Sequence, residues 1–176
     1  LALNSKNSIR SNWNDSNESP CGDWIAYEDE KCFQVLNDSF QTFDEAMASC
    51  AALEATLPII HSVEEQNFVS NYLFGTAKHV ENFWIGAKFV SDNIFQWIDN
   101  SDLTYTNWDA KSPKNRSNYC VQMQADELVQ GKWNDEPCTK KNAVVCQKMQ
   151  FWSMARLQSE FLNERKQHRD ASLSNC

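Results

Sequence analysis

The spacing of apolar residues changes period several times along this chain, and each change marks an element. Residues 1–20 are polar and Asn/Ser-rich, which reads as a flexible leader; order should begin at Pro20 and Cys21. Trp24-Ile25-Ala26-Tyr27 and Lys31-Cys32-Phe33-Gln34-Val35 are β-branched and aromatic runs interrupted by Glu28-Asp29-Glu30, which predicts a hairpin. Thr42 and Glu45 form a capping-box pair, a hydroxyl followed by an acid three residues on. Phe43, Ala46, Met47, Cys50, Ala51 and Leu53 then recur at helical spacing, so a helix is predicted to end before Pro58 with Cys50 on its buried face. Ser62 and Glu65 repeat the pair. Val63, Phe68, Val69, Tyr72 and Leu73 predict a second helix ended by Gly75, with Glu64-Glu65 on its solvated surface.

Beyond that point the pattern turns strand-like. Phe83–Ala87, Phe95–Ile98, Tyr119–Met123, Lys132–Asp135 and Ala143–Cys146 are short apolar or alternating runs. Between Asp99 and Pro113 lies a loop rich in Asn, Asp, Ser and Pro that also holds Tyr105 and Trp108. Two helices followed by strands and a long loop predict an α+β architecture. From Met149 the period returns to three or four: Phe151, Met154, Leu157 and Phe161 predict a C-terminal helix of about 18 residues, its apolar stripe facing its own domain or a partner. The expected divisions are a segment 1–20, a domain 21–148 and a helical tail 149–176 ending in Cys176.

Composition narrows the class. The chain has 176 residues, enough for one domain with a real core, and its seven Trp and ten Phe need a core or a binding face to bury them. A net charge of -8 argues against nucleic acid as a partner, because phosphate binding needs clustered Lys and Arg. No apolar run of about 18 residues is present, so no membrane span is expected. No signal peptide is present either, and the chain reads as a mature form.

Cys21, Cys32, Cys50, Cys120, Cys138, Cys146 and Cys176 include no C-x-x-C pair and no zinc-spaced Cys/His cluster. Disulfides, and with them a secreted, extracellular setting, are the better reading. The odd count leaves one cysteine over. Cys176, at the end of a polar run, is the candidate for an interchain bond, with a free tail thiol as the alternative. Sequons at Asn14, Asn17, Asn37 and Asn115 are candidate glycosylation sites.

Catalytic patterns are missing. His61, His79 and His168 have no motif partners, no H-E-x-x-H occurs, and four glycines are too few for a phosphate cradle plus turns. The chain is expected to bind and not to catalyse.

Trp84-Ile85-Gly86-Ala87, then Thr106-Asn107-Trp108 with Pro113, then Cys120, Gly131-Lys132-Trp133-Asn134-Asp135, Cys138 and Cys146 resemble the ordered signature of C-type lectin-like domains. The resemblance covers Cys21 to Gln147. It implies the C-type lectin-like fold in its long form. It also implies the pairs Cys50–Cys146, Cys120–Cys138 and Cys21–Cys32, a choice that sequence alone leaves open. In the loop-closure picture the first contributes up to roughly 4.7 kcal/mol and the shorter ones roughly 3 or less.

In sugar-binding members one Ca²⁺ sits on oxygens of the long loop and the adjacent strand, where open coordination positions accept two sugar hydroxyls. Transferred position by position, the resemblance implies a ligand site at Ser112, Lys114, Asn118, Asn134 and Asp135. Asn134, Asp135 and Asn118 are then the surviving metal ligands. The loop triplet, Glu-Pro-Asn or Gln-Pro-Asp in those members, reads Ser112-Pro113-Lys114 here. Ser112 is too short to reach, and Lys114 has no acceptor. A cation beside Ca²⁺ repels it by about 4 kcal/mol at ~4 Å with an effective dielectric near ~20. Asn115 could enter by a register shift, but a glycan on its sequon would crowd the same site. Lys114 is also a candidate built-in replacement for the metal charge, and Asn134 and Asp135 could serve only turn hydrogen bonds after Trp133.

The function expected is extracellular recognition of a protein or glycan, with weak or absent calcium dependence and with Tyr105 and Trp108 as loop aromatics for a partner or for the core. Beside it stand a calcium-dependent carbohydrate-binding lectin, and a structural subunit of a homo- or hetero-oligomer linked through Cys176 and the C-terminal helix.

Overall fold

The computed structural model of the protein describes residues 21–28 and 30–150. The leader, His168, Cys176, Asn14 and Asn17 lie outside the described residues, as does the helical tail expected over 149–176 apart from its first two residues; Met149 ends β7 and does not open a helix. The elements are β1 (Ile25–Tyr27), β2 (Lys31–Gln41), α1 (Phe43–Ala51), α2 (Val63–Ser70), β3 (Phe83–Ser91), β4 (Ile94–Trp97), β5 (Tyr119–Met123), β6 (Trp133–Pro137) and β7 (Asn142–Met149). The architecture is α+β. One sheet runs β1-β2-β7-β3-β5-β6, with β4 paired to β3.

Both helix starts follow the capping chemistry. Thr42 Oγ1 accepts from the Glu45 N–H, and the Glu45 carboxylate accepts from the Thr42 N–H, the reciprocal box. Ser62 Oγ accepts from the Glu65 N–H at 3.1 Å. The end of α2 differs from the expectation. Gly75 does not terminate it; α2 runs on as a π-helical turn from Asn71 to Thr76. The wider turn keeps both Leu73 and Phe74 buried, which an ordinary αL stop at Gly75 does not require.

Glu65 is a second difference. It is not solvated: it is 4% exposed, and Lys31 Nζ lies 2.5 Å from its Oε1. Lys31 Nζ also donates to the Ile59 carbonyl at 2.8 Å, and Glu65 Oε2 accepts from the His61 N–H at 3.0 Å. Val63, expected on the buried face, is 48% exposed. The apolar period places α2 correctly as a helix, but its buried face holds Glu65 and Gln66 beside Val69.

β2 outruns its predicted end. It passes a bulge between Leu36 and Phe40 and resumes pairing with Ala143 and Asn142 of β7. Asp92 and Asn93, both at positive φ, close the β3–β4 hairpin, a conformation that short polar side chains tolerate best. Cys50–Cys146 ties α1 to β7, Cys120–Cys138 ties β5 to the segment after β6, and Cys21–Cys32 closes the first hairpin. Around the Cys50–Cys146 bridge, Phe43 of α1 packs edge-on against Trp84 of β3, with ring centroids 5.7 Å apart.

Candidate functional site

Trp133, fully buried at the start of β6, is the hub on which the long loop is built. Trp97, Tyr105 and Trp108 meet it edge-on with centroids 5.7, 5.8 and 5.9 Å away, and Phe95 packs on Trp108 at 5.2 Å. Tyr105 and Trp108 are therefore half-buried and pack under the loop against the core. The Trp133 indole N–H donates to Gln66 Oε1 at 2.8 Å, and Gln66 Nε2 donates to the Gly131 carbonyl at 2.9 Å. Gly131 sits at φ +79°, and a Cβ there would meet Ser70 Oγ at 2.5 Å, so glycine is required.

With Trp133 fixed, strand alternation orients the next three residues. Asn134 and Glu136 share one face of β6, and Asp135 shares the Trp133 face. Gln122 of β5 stands opposite Asn134 in the ladder. Its Nε2 donates to Asn134 Oδ1 (2.9 Å), while its Oε1 accepts from Asn142 Nδ2 (2.7 Å) and Lys140 Nζ (3.2 Å). Asn134 Nδ2 in turn donates to Glu136 Oε1 at 3.1 Å.

Lys114 closes the arrangement from the loop side, after a cis Ser112–Pro113 bond. Its backbone N–H donates to Asp135 Oδ1 at 2.6 Å, and its Nζ donates to Glu136 Oε1 at 2.7 Å. Of the five residues named from sequence, the structure thus joins Lys114, Asn134 and Asp135. Ser112 turns towards Asp109: its N–H donates to the Asp109 carbonyl at 3.2 Å. Asn118, exposed and at φ +60°, uses its backbone carbonyl to accept from the Cys138 N–H. No side-chain hydrogen bond joins it to the other four among the described residues. Asn115, at φ +56°, is exposed one residue from Lys114, and Asn37 is exposed in the β2 bulge.

Glu136, Gln122, Lys140 and Asn142 are site residues that sequence reasoning missed. Glu136 and Lys140 flank the Trp-Asn-Asp run and carried a charge signal. Gln122 and Asn142 carried none, because a buried amide is recognisable only by the neighbours it bonds.

These residues do not fit Ca²⁺. An ammonium lies on the Glu136 carboxylate beside the Trp-Asn-Asp run, one lone pair of the Asn134 oxygen is taken by the Gln122 amide, and the Ser112 hydroxyl is bonded to Asp109. One feature favours a cation: Asp135 Oδ2 is buried and has no hydrogen-bond partner among the described residues.

Asp109 anchors the loop. Its Oδ1 accepts from the Lys111 N–H at 2.7 Å and its Oδ2 from Gln124 Nε2 at 2.8 Å. Burial pushes its carboxyl up, but these bonds, the Ser112 hydroxyl and the Lys114 charge outweigh burial and hold it below the usual range. Because its folded pKa is depressed, Asp109 contributes stability above the unfolded value of about 3.9. That contribution is lost as pH falls through the lower folded value. In acid titrations followed by tryptophan fluorescence, Asp109→Asn is expected to remove this part of the pH dependence. Superimposable curves for the two proteins contradict the assignment.

The family profile described as "Lectin C-type domain" matches residues 39–148. A protein of Micrurus corallinus named C-type lectin is 32% identical over 129 residues, covering 70% of this chain and 80% of that protein. Longer curated relatives, receptors among them, are covered over only 9% of their own length. Among solved structures, the C-type lectin domain of murine dendritic cell inhibitory receptor 2, in complex with N-glycan, superposes with a TM-score of 0.64. It is 28% identical and covers 72% of this chain and 96% of that one. A calcium-independent type II antifreeze protein superposes at 0.61, with 28% identity, covering 72% of this chain and 91% of that one.

Proposed function

From the premise that this chain belongs to the C-type lectin domain family, a family of recognition modules, we propose that it is an extracellular binding domain that engages a glycan or protein without calcium. The observation that carries this reading is the double engagement of Lys114. Its amide is bonded to Asp135 and its ammonium to Glu136, so a positive charge of the chain stands at a position that the resemblance assigns to a metal ligand. The domain 21–148 is the binding unit. Three disulfides support the extracellular setting, since such bonds persist in oxidising compartments. Similarity to a calcium-independent protein and to a glycan-bound domain supports both parts of the proposal, since one scaffold is compatible with each.

The calcium-dependent reading has the orphan Asp135 Oδ2 in its favour. Against it stands the electrostatics: calcium would have to displace the ammonium of Lys114 and bind a set that keeps only Asp135 as a carboxylate among the five inherited positions.

The test is capture of the protein on immobilised glycans and candidate protein ligands in calcium and in chelator. Equal binding in both is expected. Binding that chelator abolishes overturns the proposal.

A further inference from the structure

We propose that this site takes an acidic saccharide, one carrying a sulfate or carboxylate substituent beside free hydroxyls; the proposal rests on the calcium-independent reading above. Its first ground is charge segregation. The chain carries a net charge of -8, yet residues 111–119 and 134–142 hold five cations and only two carboxylates. A basic strip on an acidic domain is a local field that attracts anions.

The second ground is what those cations touch. Of the five, Lys114 is paired with Glu136, and Lys111, Arg116, Lys140 and Lys141 form no salt bridge among the described residues. The Arg116 guanidinium is exposed and lies 5.9 Å from the Tyr119 ring centroid, on a ring that Lys114 Nζ also approaches at 5.9 Å. Lys140 Nζ donates to Gln122 Oε1, and Gln122 is linked through Asn134 to Glu136 and Lys114. One hydrogen-bonded strip thus joins Lys140 at one end to Lys114 at the other, with Arg116 near the same Tyr119 ring as Lys114.

The third ground is Glu136, which decides between a saccharide and a purely acidic chain such as a poly-glutamate peptide. Both hydrogen bonds to its carboxylate fall on Oε1, and Oε2 accepts none from the described residues. A free carboxylate oxygen among cations accepts a hydroxyl proton, which sugars supply. It repels a ligand that offers only negative charge. Arg116 supplies the planar fork that sulfate and carboxylate oxygens fit.

The test uses the disulfide-intact protein carrying Ser117→Ala, which removes the Asn115 sequon and leaves the strip open without adding a charge. Binding is measured in chelator to a sulfated oligosaccharide, a sialylated oligosaccharide, the desialylated form of the latter, and poly-glutamate. Expected is binding to the sulfated or the sialylated probe, the two arms telling which acid is preferred. Binding should weaken as salt rises and should fall about tenfold or more in Arg116→Gln, which removes one charge-assisted contact. Glu136→Gln is expected to strengthen poly-glutamate binding more than binding of the acidic saccharides, whose hydroxyls lose a charged acceptor; an equal gain for both overturns the saccharide assignment. Neutral and acidic probes bound alike in chelator overturn the acidic preference and leave the calcium-independent reading standing. Binding that needs calcium overturns both. Poly-glutamate bound as tightly as the saccharides overturns the saccharide assignment, as does an Arg116→Gln protein with unchanged affinity.

Discussion

A variant carrying Ser112→Glu, Lys114→Asn and Asn118→Glu is expected to bind Ca²⁺ with a dissociation constant of about 10⁻⁴ to 10⁻³ M, the range of extracellular modules. Each substitution makes the site one charge unit more negative, and together they supply two carboxylates and one amide oxygen where the loop now offers a hydroxyl, an ammonium and an amide. The scaffold should tolerate the change at a cost of about 1–2 kcal/mol for Asn118→Glu, where φ is +60°. The Lys114–Glu136 pair is 36% and 23% exposed on its two side chains, so its loss costs at most about 1 kcal/mol. Asp135 is buried and keeps one oxygen without a hydrogen-bond partner among the described residues, which leaves that oxygen open to a cation. Calorimetry reads the affinity directly. A calcium-dependent rise in melting temperature reads it through linkage, about 2.7 kcal/mol at a hundredfold excess over the dissociation constant. Absence of heat in the triple variant, with the fold intact, shows that the loop backbone and not its side chains excludes the metal.

Glu65→Gln is expected to destabilise the domain by about 3–5 kcal/mol, because it leaves the Lys31 ammonium buried without its counter-charge. Total stabilities run to about 5–15 kcal/mol, so a large share is at stake. The Ile59 carbonyl remains as a neutral acceptor for Lys31 but does not replace the charge. Glu64→Gln, one residue away and exposed, is the control and should stay within about 0.5 kcal/mol. The pair of changes Lys31→Met and Glu65→Leu is expected to recover most of the loss, since well-packed apolar residues replace a buried ion pair at little cost. Urea unfolding with the disulfides intact measures all three. A Glu65→Gln protein as stable as the Glu64→Gln control contradicts the burial of the pair.

The fold was legible where its signals are local. Capping chemistry at Thr42 and Ser62, alternation in β5, and the spacing of Trp84, Trp133 and the cysteines all lie within short windows of sequence. What escaped depends on contacts distant in sequence. Glu65 looked solvated because its partner Lys31 is 34 positions away. β2 looked finished at Val35 because only pairing with β7 carries it past Asn37-Asp38-Ser39. Gly75 carried a stop signal that the packing of Leu73 and Phe74 overrode. At the site, position-by-position transfer reached Lys114, Asn134 and Asp135, and chemistry alone flagged the lysine as misplaced for calcium. It did not reach Gln122, Lys140 or Glu136, whose roles exist only once β5 and β6 are in register.

The central claim is that a lysine of the chain, not calcium, governs this site. It is tested most directly by titrating Ca²⁺ into the isotope-labelled wild-type domain and watching the Lys114 backbone amide, which is bonded to Asp135. No saturable shift is expected at concentrations well above about 1 mM, the weak end for extracellular calcium modules. A saturable shift of that amide, abolished in Asp135→Ala, contradicts the claim.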